Sequence, residues 1–367
     1  MDRRTARHRK RVWTRILCII GAILGVLTVV ALLLGVTAYF FRERGRVTFE
    51  QHAAEGQAAN SNAMAEVITE ETSPGIQLEE GQILYHGTVY EYNEDLLTIL
   101  CLGIDNRKGI AEEKKPGAGG QSDYVVLAVL DRSAGSFTLV TVSRDAMVLV
   151  KIYDEYGMYV GEETKQLALQ YAYGNGRESS CELMEQAVSK LFYGIPIHGY
   201  CALSLNVIAE LNDAVGGVTV TVPEELAEFC PEFKAGETVT LKGQQAYKFV
   251  QRRNTKAKEL GANNLRMNRQ KQYVLAFVKQ LKEAVKQDIS IPVKLYTTAE
   301  KQMVTSISLE QAVYLCTEFQ DVSFTADDIY SVTGEVTQGE IYEEFQVDDE
   351  ALYELILKVF YKEVPNP

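Results

Sequence analysis

Five charged residues stand at the edges of apolar runs. Asp105 and Arg107 follow LLTILCLGI in the stretch LGIDNR. Asp123 precedes YVVLAVL, after the glycine-rich PGAGG. Arg144 and Asp145 interrupt LVTVSRDAMVLVKIY, residues 139–153. Two full charges inside what otherwise reads as a buried strand cost several kcal/mol each unless they meet each other, solvent or a ligand. More cations lie further on: Arg252 and Arg253 after LKGQQAYKFV, then Arg266 and Arg269, with Gln270, ahead of the apolar stripe Tyr273, Val274, Phe277, Val278 and Leu281. Arg266, Arg269 and Gln270 lie three or four positions before Tyr273 or one another, so one helix face changes from apolar to guanidinium-bearing toward its N-terminus. Arginine forks converging on a cleft suit phosphate or pyrophosphate oxygens, which they grip bidentately. Asp105, Asp123 and Asp145 suit a hard divalent cation such as Mg²⁺, which bridges carboxylates and substrate phosphates. Taken singly, each of these charges has a plainer reading as a solvated or neighbour-paired side chain.

The elements that must position these groups follow from periodicity. Residues 96–105, 124–131 and 136–143 are short apolar or β-branched runs bounded by turn residues, which predicts strands. Arg132-Ser133-Ala134-Gly135 predicts a hairpin between the last two. Near-continuous apolarity implies that both sheet faces are covered. LALQYAYG and SSCELMEQAVSKLFYG read as helical, HGYCALSL as a strand, NVIAELNDAVGG as a helix closed by glycine, and VTVTVP as a further strand. LKGQQAYKFV predicts a short helix and NNLRMNRQKQYVLAFVKQLKEAVKQ a long one. Ser308 and Gln311 have capping-box spacing before AVYLCTEF, and DDEALYELILKVFY closes the chain as a helix. Strands alternating with helices predict an α/β domain over residues 85–367, with ligand crevices at strand ends.

The N-terminus predicts a location. Residues 1–15 carry seven Lys/Arg against the single acid Asp2, and Ile16–Phe41 is free of charge. At about 1.5 Å per residue that run exceeds the ~20 residues needed to span a bilayer. The basic flank predicts a cytoplasmic N-terminus, a single transmembrane helix over 16–41 and an extracytoplasmic main domain in the cell membrane. A cleaved signal peptide is the competing reading, although its apolar core is usually about 7–15 residues. Arg42, Arg44 and Arg46 lessen the charge asymmetry. Residues 42–84 read as a spacer. The chain's net charge of −13 is unevenly spread and leaves the exported part strongly acidic, which makes nucleic acid an unsuitable partner. Of six cysteines, Cys18 lies in the span and five lie beyond it, mostly in apolar surroundings that suit buried thiols. The four histidines are scattered, which gives a zinc site no support. A membrane-tethered exported domain with a diphosphate-gripping cleft meets one abundant class of ligand, the lipid-linked sugar carriers.

Eight segments in order resemble the LytR–CpsA–Psr proteins: LCLGIDNR, QSDYVVLAVLD, FTLVTVSRDAMV, QYAYGNG, YGIPIHGYCALSL, LNDAVGGVTVTVP, LKGQQAYKFVQRR and NNLRMNRQKQ. The resemblance implies a central mixed β-sheet between helices and a long apolar pocket for a polyprenyl tail. It implies transfer of a secondary glycopolymer, such as teichoic acid or capsular polysaccharide, from an undecaprenyl diphosphate carrier to peptidoglycan. Arginines would bind the diphosphate and aspartates would coordinate Mg²⁺. Carried over by motif, Asp105, Arg144 and Asp145 are the implied catalytic residues, and Asp105 and Asp123 the metal ligands. The diphosphate set is Arg107, Gln121, Arg144, Arg252, Arg253, Arg266, Arg269 and Gln270.

Three positions depart from the family pattern. Gln121 stands where arginine precedes Ser-Asp, Gln251 where the first arginine of an Arg-x-Arg pair is expected, and Asn263 where an aspartate is usual. Glutamine donates neutral hydrogen bonds but cannot screen charge. Two functional classes follow. One is a membrane-anchored glycopolymer phosphotransferase with a retained, altered site. The other is a catalytically impaired relative that binds polyprenyl phosphates or wall polymer as a regulator or scaffold.

Overall fold

A computed structural model of the chain describes residues 39–40, 42–49, 78–79, 81–105, 109–113, 115–252, 262–319, 321–340 and 342–364. The expected membrane span lies, but for its last residues, outside this set. Among the described residues no helix is long and apolar enough to cross a membrane.

The apolar runs build a six-stranded mixed sheet. Its order is Met303–Thr305, Gly199–Ser204, Leu96–Ile104, Ser122–Asp131, Ser136–Val142 and Ile329–Ser331. The three longest predicted strands are its antiparallel centre, flanked by parallel pairings to Gly199–Ser204 on one side and Ile329–Ser331 on the other. Both faces are covered, as uninterrupted apolarity requires. On one face Leu100, Leu102, Val125 and Leu127 pack with Met184 and Val188 of the helix Glu178–Leu191 and with Leu352 and Ile356 of the helix Asp349–Phe360. On the other, Val126 and Leu139 meet Val274 and Leu275 of the long helix Ala262–Gln287, while Leu97 and Ile99 meet Tyr314 and Leu315 of the helix Leu309–Phe319. That last helix opens with a reciprocal capping box: Gln311 N–H donates to Ser308 Oγ at 3.2 Å, and Ser308 N–H to Gln311 Oε1 at 2.8 Å. The hairpin turn forms as predicted, with Asp131 Oδ1 accepting from the backbone of Ser133 and Ala134.

The charged pair does not sit inside a buried strand. The central strand ends at Val142, Ser143–Ala146 turns with Ala146 N–H on Ser143 O at 3.1 Å, and the chain restarts as Met147–Tyr153. This new strand leaves the central sheet and pairs with Tyr159–Gln166. Arg144 and Asp145 are therefore loop residues at a strand end. Residues 42–49, expected within the spacer, are helical and rest on the domain. Phe49 is buried against Tyr314, and Arg42 pairs with Glu318 at 2.7 Å. The strand Gln82–Tyr85, also ahead of the expected boundary at 85, joins a small sheet with Thr88–Tyr92 and the C-terminal Tyr361–Val364.

His198 ties two central strands together at their start. Its Nδ1 accepts the Thr98 N–H at 2.9 Å, and the His198 backbone N–H donates to Thr98 O at 2.7 Å. Burial pushes the imidazole down to about 4. The unfolded chain, near 6.5, then binds more protons below neutrality. Stability held above pH 6.5 should fall as the pH drops toward 4, by up to about 3 kcal/mol. Urea melts of the wild type and His198→Phe across pH 4–7 should show the variant's profile as the flatter of the two.

Candidate functional site

The site forms where the central strands end. Ile104 pairs not with Asp123 but with Ser122, while Gly103 pairs with Tyr124, so Asp123 is the extra residue of a β-bulge. Such bulges re-aim a side chain and interrupt the ladder. Gly103 permits the close approach beside it, since a Cβ there would lie 2.9 Å from Tyr124 Cβ and 3.0 Å from Leu205 Cδ2. Asp105 follows Ile104 directly, so the two aspartates emerge from neighbouring strands.

Arg144 is the hub. Its guanidinium contacts the Asp123 carboxylate and the Gln121 side-chain oxygen, and its Nε lies 3.4 Å from Asp145 Oδ1. Arg266, 5% exposed, brings a second guanidinium to 3.9 Å from the same Asp123 oxygen. Two arginines thus share one carboxylate, which holds two guanidinium forks side by side. Asp145 is oriented by Gln166, whose Nε2 donates to Asp145 Oδ1 at 3.1 Å and to Glu343 O at 2.8 Å. Its backbone oxygen accepts from Phe345 N–H at 3.0 Å. Asp105 accepts from Gln251 Nε2 at 3.2 Å.

The structure therefore brings together Asp105, Gln121, Asp123, Arg144, Asp145 and Arg266. Two expectations need correction. Arg269, 2% exposed, serves the end of the helix Gln244–Gln251: its Nε donates to Phe249 O at 3.1 Å, its fork contacts Arg252 O, and it lies 3.5 Å from Glu225. The last carbonyls of a helix need donors, and this arginine supplies them instead of meeting a phosphate. Arg252 is exposed, and its charge is felt by Cys230 and Glu232. Arg107, Arg253 and the side chain of Asn263 lie outside the described residues. Gln166 escaped the sequence reading because one amide in the run KQLALQ carries no signal of its partner 21 residues back.

Behind the polar cluster lies an apolar cavity of about 210 Å³, lined by Gly103, Tyr124, Val250, Gln270, Tyr273 and Phe277 among others. Each polar anchor has a lining neighbour: Tyr124 follows Asp123, Val250 precedes Gln251, and Gln270 is one turn beyond Arg266. Gln270 Nε2 donates to Val250 O at 3.2 Å, and its buried Oε1 has no hydrogen-bond partner among the described residues. A second cavity of about 320 Å³ continues beneath the same long helix, lined by Val278, Leu281 and Val285. Cys201 borders both cavities. Burial raises its thiol to about 11 and that of its strand neighbour Cys101 to about 12. All five described cysteines are free thiols.

For a divalent cation the donors fit in part. Among the described residues no three acidic, histidine or cysteine groups form a metal cluster. Asp123 is already paired with arginine, whereas Asp105 accepts only from the neutral Gln251 amide among the described contacts. One carboxylate plus substrate phosphates is an ordinary Mg²⁺ environment.

A mixed sheet whose strand ends carry this arginine–aspartate cluster beside an apolar hollow defines a mixed α/β protein. The chain belongs to the LytR_cpsA_psr family, whose model matches residues 50–357. It is 25% identical over 222 residues to a protein of Oceanobacillus iheyensis named polyisoprenyl-teichoic acid–peptidoglycan teichoic acid transferase TagU, covering 59% of this chain and 58% of that protein. It is 26% identical over 234 residues to TagV of Bacillus subtilis, of the same activity name, covering 62% and 55%. It is also 24% identical over 230 residues to biofilm regulatory protein A of Streptococcus mutans, covering 60% and 52%. The chain thus matches little more than half the length of these relatives. The fold is similar to that of B. subtilis TagV, with a TM-score of 0.54 at 20% identity over 72% of this chain and 96% of that one. It is also similar to that of TagT bound to LI-WTA, with a TM-score of 0.53 at 20% identity over 72% and 89%.

Proposed function

We propose that the protein is a membrane-anchored phosphotransferase that moves a secondary glycopolymer from a polyprenyl diphosphate carrier to peptidoglycan. The observation that carries this reading is the pair Arg144 and Arg266 on Asp123, whose chain neighbour Tyr124 lines an apolar cavity, so that a charged cluster stands beside a hydrocarbon hollow. The prenyl tail lies under the long helix, and the run 16–41 supplies the anchor.

The acceptor sugar hydroxyl attacks the phosphorus next to the glycan, and polyprenyl phosphate leaves. Such transfer needs positioning and charge neutralisation more than covalent help. Arg144 and Arg266 stabilise the non-bridging oxygens. Asp145, held by Gln166, accepts the hydroxyl proton. Asp105 would hold Mg²⁺, which supplies further neutralisation of phosphate charge when bound.

The full chain in detergent, given a lipid-diphosphate-linked polymer, peptidoglycan and Mg²⁺, should release polyprenyl phosphate. Asp105→Asn should lower that release by about a hundredfold or more. Gln121 and Gln251, which bond Arg144 and Asp105 where the family pattern has arginine, favour a second reading as a binding protein without turnover. Saturable lipid binding with no polyprenyl phosphate released would establish that reading instead.

A further inference from the structure

A separate cleft of about 460 Å³ opens between the start of the helix Glu178–Leu191, the strand Met147–Tyr153 and the residues Glu113 and Pro116. Its lining is mixed where the tail cavities are apolar: Tyr153, Tyr173, Glu113, Lys151, Asn175 and Glu182 all border it. Among the described residues, the two tyrosine hydroxyls and the two carboxylates make no hydrogen bond. Lys151 Nζ donates to Gln186 Oε1, another lining group, at 2.7 Å. The walls are preformed, which spares a ligand the cost of ordering them. Glu113 N–H donates to Asn175 O at 2.8 Å, and Gly117 N–H to Ala172 O at 2.7 Å. Gly119 abuts Gly176, where a Cβ on the former would lie 3.2 Å from the latter's Cα.

Beside the cleft stands the tip of the hairpin formed by Met147–Tyr153 and Tyr159–Gln166. Gly157 of the tip lines the cleft, and Tyr153 and Tyr159 stack edge to face at 5.8 Å. Tyr156, Met158, Tyr159 and Val160 are 81%, 66%, 57% and 66% exposed, a patch of the kind that marks an interaction surface. Its flanks carry Asp154, Glu155, Glu162 and Glu163. Glu162 and Glu163 pair with Lys190 and Lys165 at 2.7 and 2.8 Å, and the remaining acids, with Glu113 and Glu182, oppose both an anionic lipid surface and a phosphate-rich polymer. Tyrosine faces beside carboxylate and amide groups suit an uncharged ring that is apolar on its faces and bears hydroxyls at its edge.

The cleft is connected to the reacting groups. The 3₁₀ helix Leu167–Tyr173 begins beside Gln166, which bonds Asp145, and the Ala168 N–H donates to Arg144 O at 2.9 Å. The helix ends at Tyr173 in the cleft. Seven steps of about 2 Å place the cleft about 14 Å along the helix from Asp145's partner, within reach of an oligosaccharide.

We infer that this cleft is an oligosaccharide subsite that holds the acceptor glycan by its uncharged sugar rings and feeds its hydroxyl toward Asp145. The assignment of the glycan as acceptor rests on the phosphotransfer reading.

The test titrates the full chain in detergent micelles with a soluble N-acetylglucosamine tetramer, followed by calorimetry and saturation-transfer NMR. Saturable binding is expected, weakened about tenfold or more by Tyr173→Ala and Glu182→Gln and kept by Tyr173→Phe, which retains the ring. Arg144→Ala should bind the tetramer as the wild type does, and the cleft variants should bind undecaprenyl diphosphate as the wild type does. Absence of saturable binding, or loss of it in Arg144→Ala with the cleft variants unaffected, overturns the inference. So does capture of phosphatidylglycerol vesicles that depends on Tyr156 and Tyr159, with no tetramer bound, which would make the tip a membrane contact. Release of polyprenyl phosphate is measured in the same preparations. Turnover without tetramer binding refutes the cleft alone, and tetramer binding without turnover refutes the phosphotransfer reading alone.

Discussion

Arg144→Ala should lower polyprenyl phosphate release by about a hundred- to a thousandfold, the loss typical of removing a donor aimed at developing charge. Arg144 contacts Gln121 and Asp123 and approaches Asp145, so its removal takes a cation from two carboxylates at once. Asp123 retains Arg266 at 3.9 Å, and Asp145 retains the Gln166 amide. Losing a nearby positive charge disfavours the ionised acid. The residual activity should therefore need a higher pH than the wild type, a shift that a purely structural lesion would not produce. Leaving partly buried carboxylates short of a partner should also destabilise the fold by about 1–3 kcal/mol. Arg144→Lys keeps the charge but loses the planar fork, and should recover stability more fully than turnover. A pH–rate profile and a urea melt of both variants check this. Wild-type turnover in Arg144→Ala would remove the head-group site from the mechanism.

Cys201→Phe should separate long lipids from short ones. Cys201 lies on the strand Gly199–Ser204 and borders both apolar cavities, so a tail that occupies both must pass it and a phenyl ring there would block the way. The nearer cavity, beside Gln270 and Val250, stays open to the first part of a tail, while the farther one beneath Leu281 and Val285 is closed off. Each methylene kept from burial forfeits about 0.8 kcal/mol, so excluding a handful costs well over tenfold in affinity. Undecaprenyl diphosphate should accordingly bind at least about tenfold more weakly to the variant, while geranyl diphosphate changes little. Overpacking costs about 1–3 kcal/mol of stability, which a melt separates from the binding loss. Equal weakening of both lipids would mean that the tail does not pass Cys201.

What was legible in the chain was local. The strands around Leu100, Leu127 and Val140, the long helix and the Ser308–Gln311 cap all announce themselves within a dozen residues. Pairings between distant segments did not. Tyr361–Val364 meets Thr88–Tyr92 across most of the domain. Tyr159–Gln166, YVGEETKQ, is largely exposed and has no apolar alternation to reveal it as a strand. Sequence placed Arg266 and Arg269 on one helix face as equivalent cations. Their separation into a partner of Asp123 and a helix-end clamp depends on where the helix Gln244–Gln251 terminates against them, which only the folded chain decides. The break at Ser143–Ala146 was hidden for a related reason. Apolar residues on both sides read as one run, although the second half pairs with a different partner.

Asp123, the residue left over where Ile104 and Gly103 skip past it, adds nothing to the ladder that surrounds it. A chain shortened by this one position would be free to zip its two longest strands without interruption, and hydrogen bonding alone would favour the shorter version. The irregularity is thus a standing expense that only the arginines opposite can justify, and a deletant that folds more firmly yet has lost its grip on anionic lipid would be its natural signature.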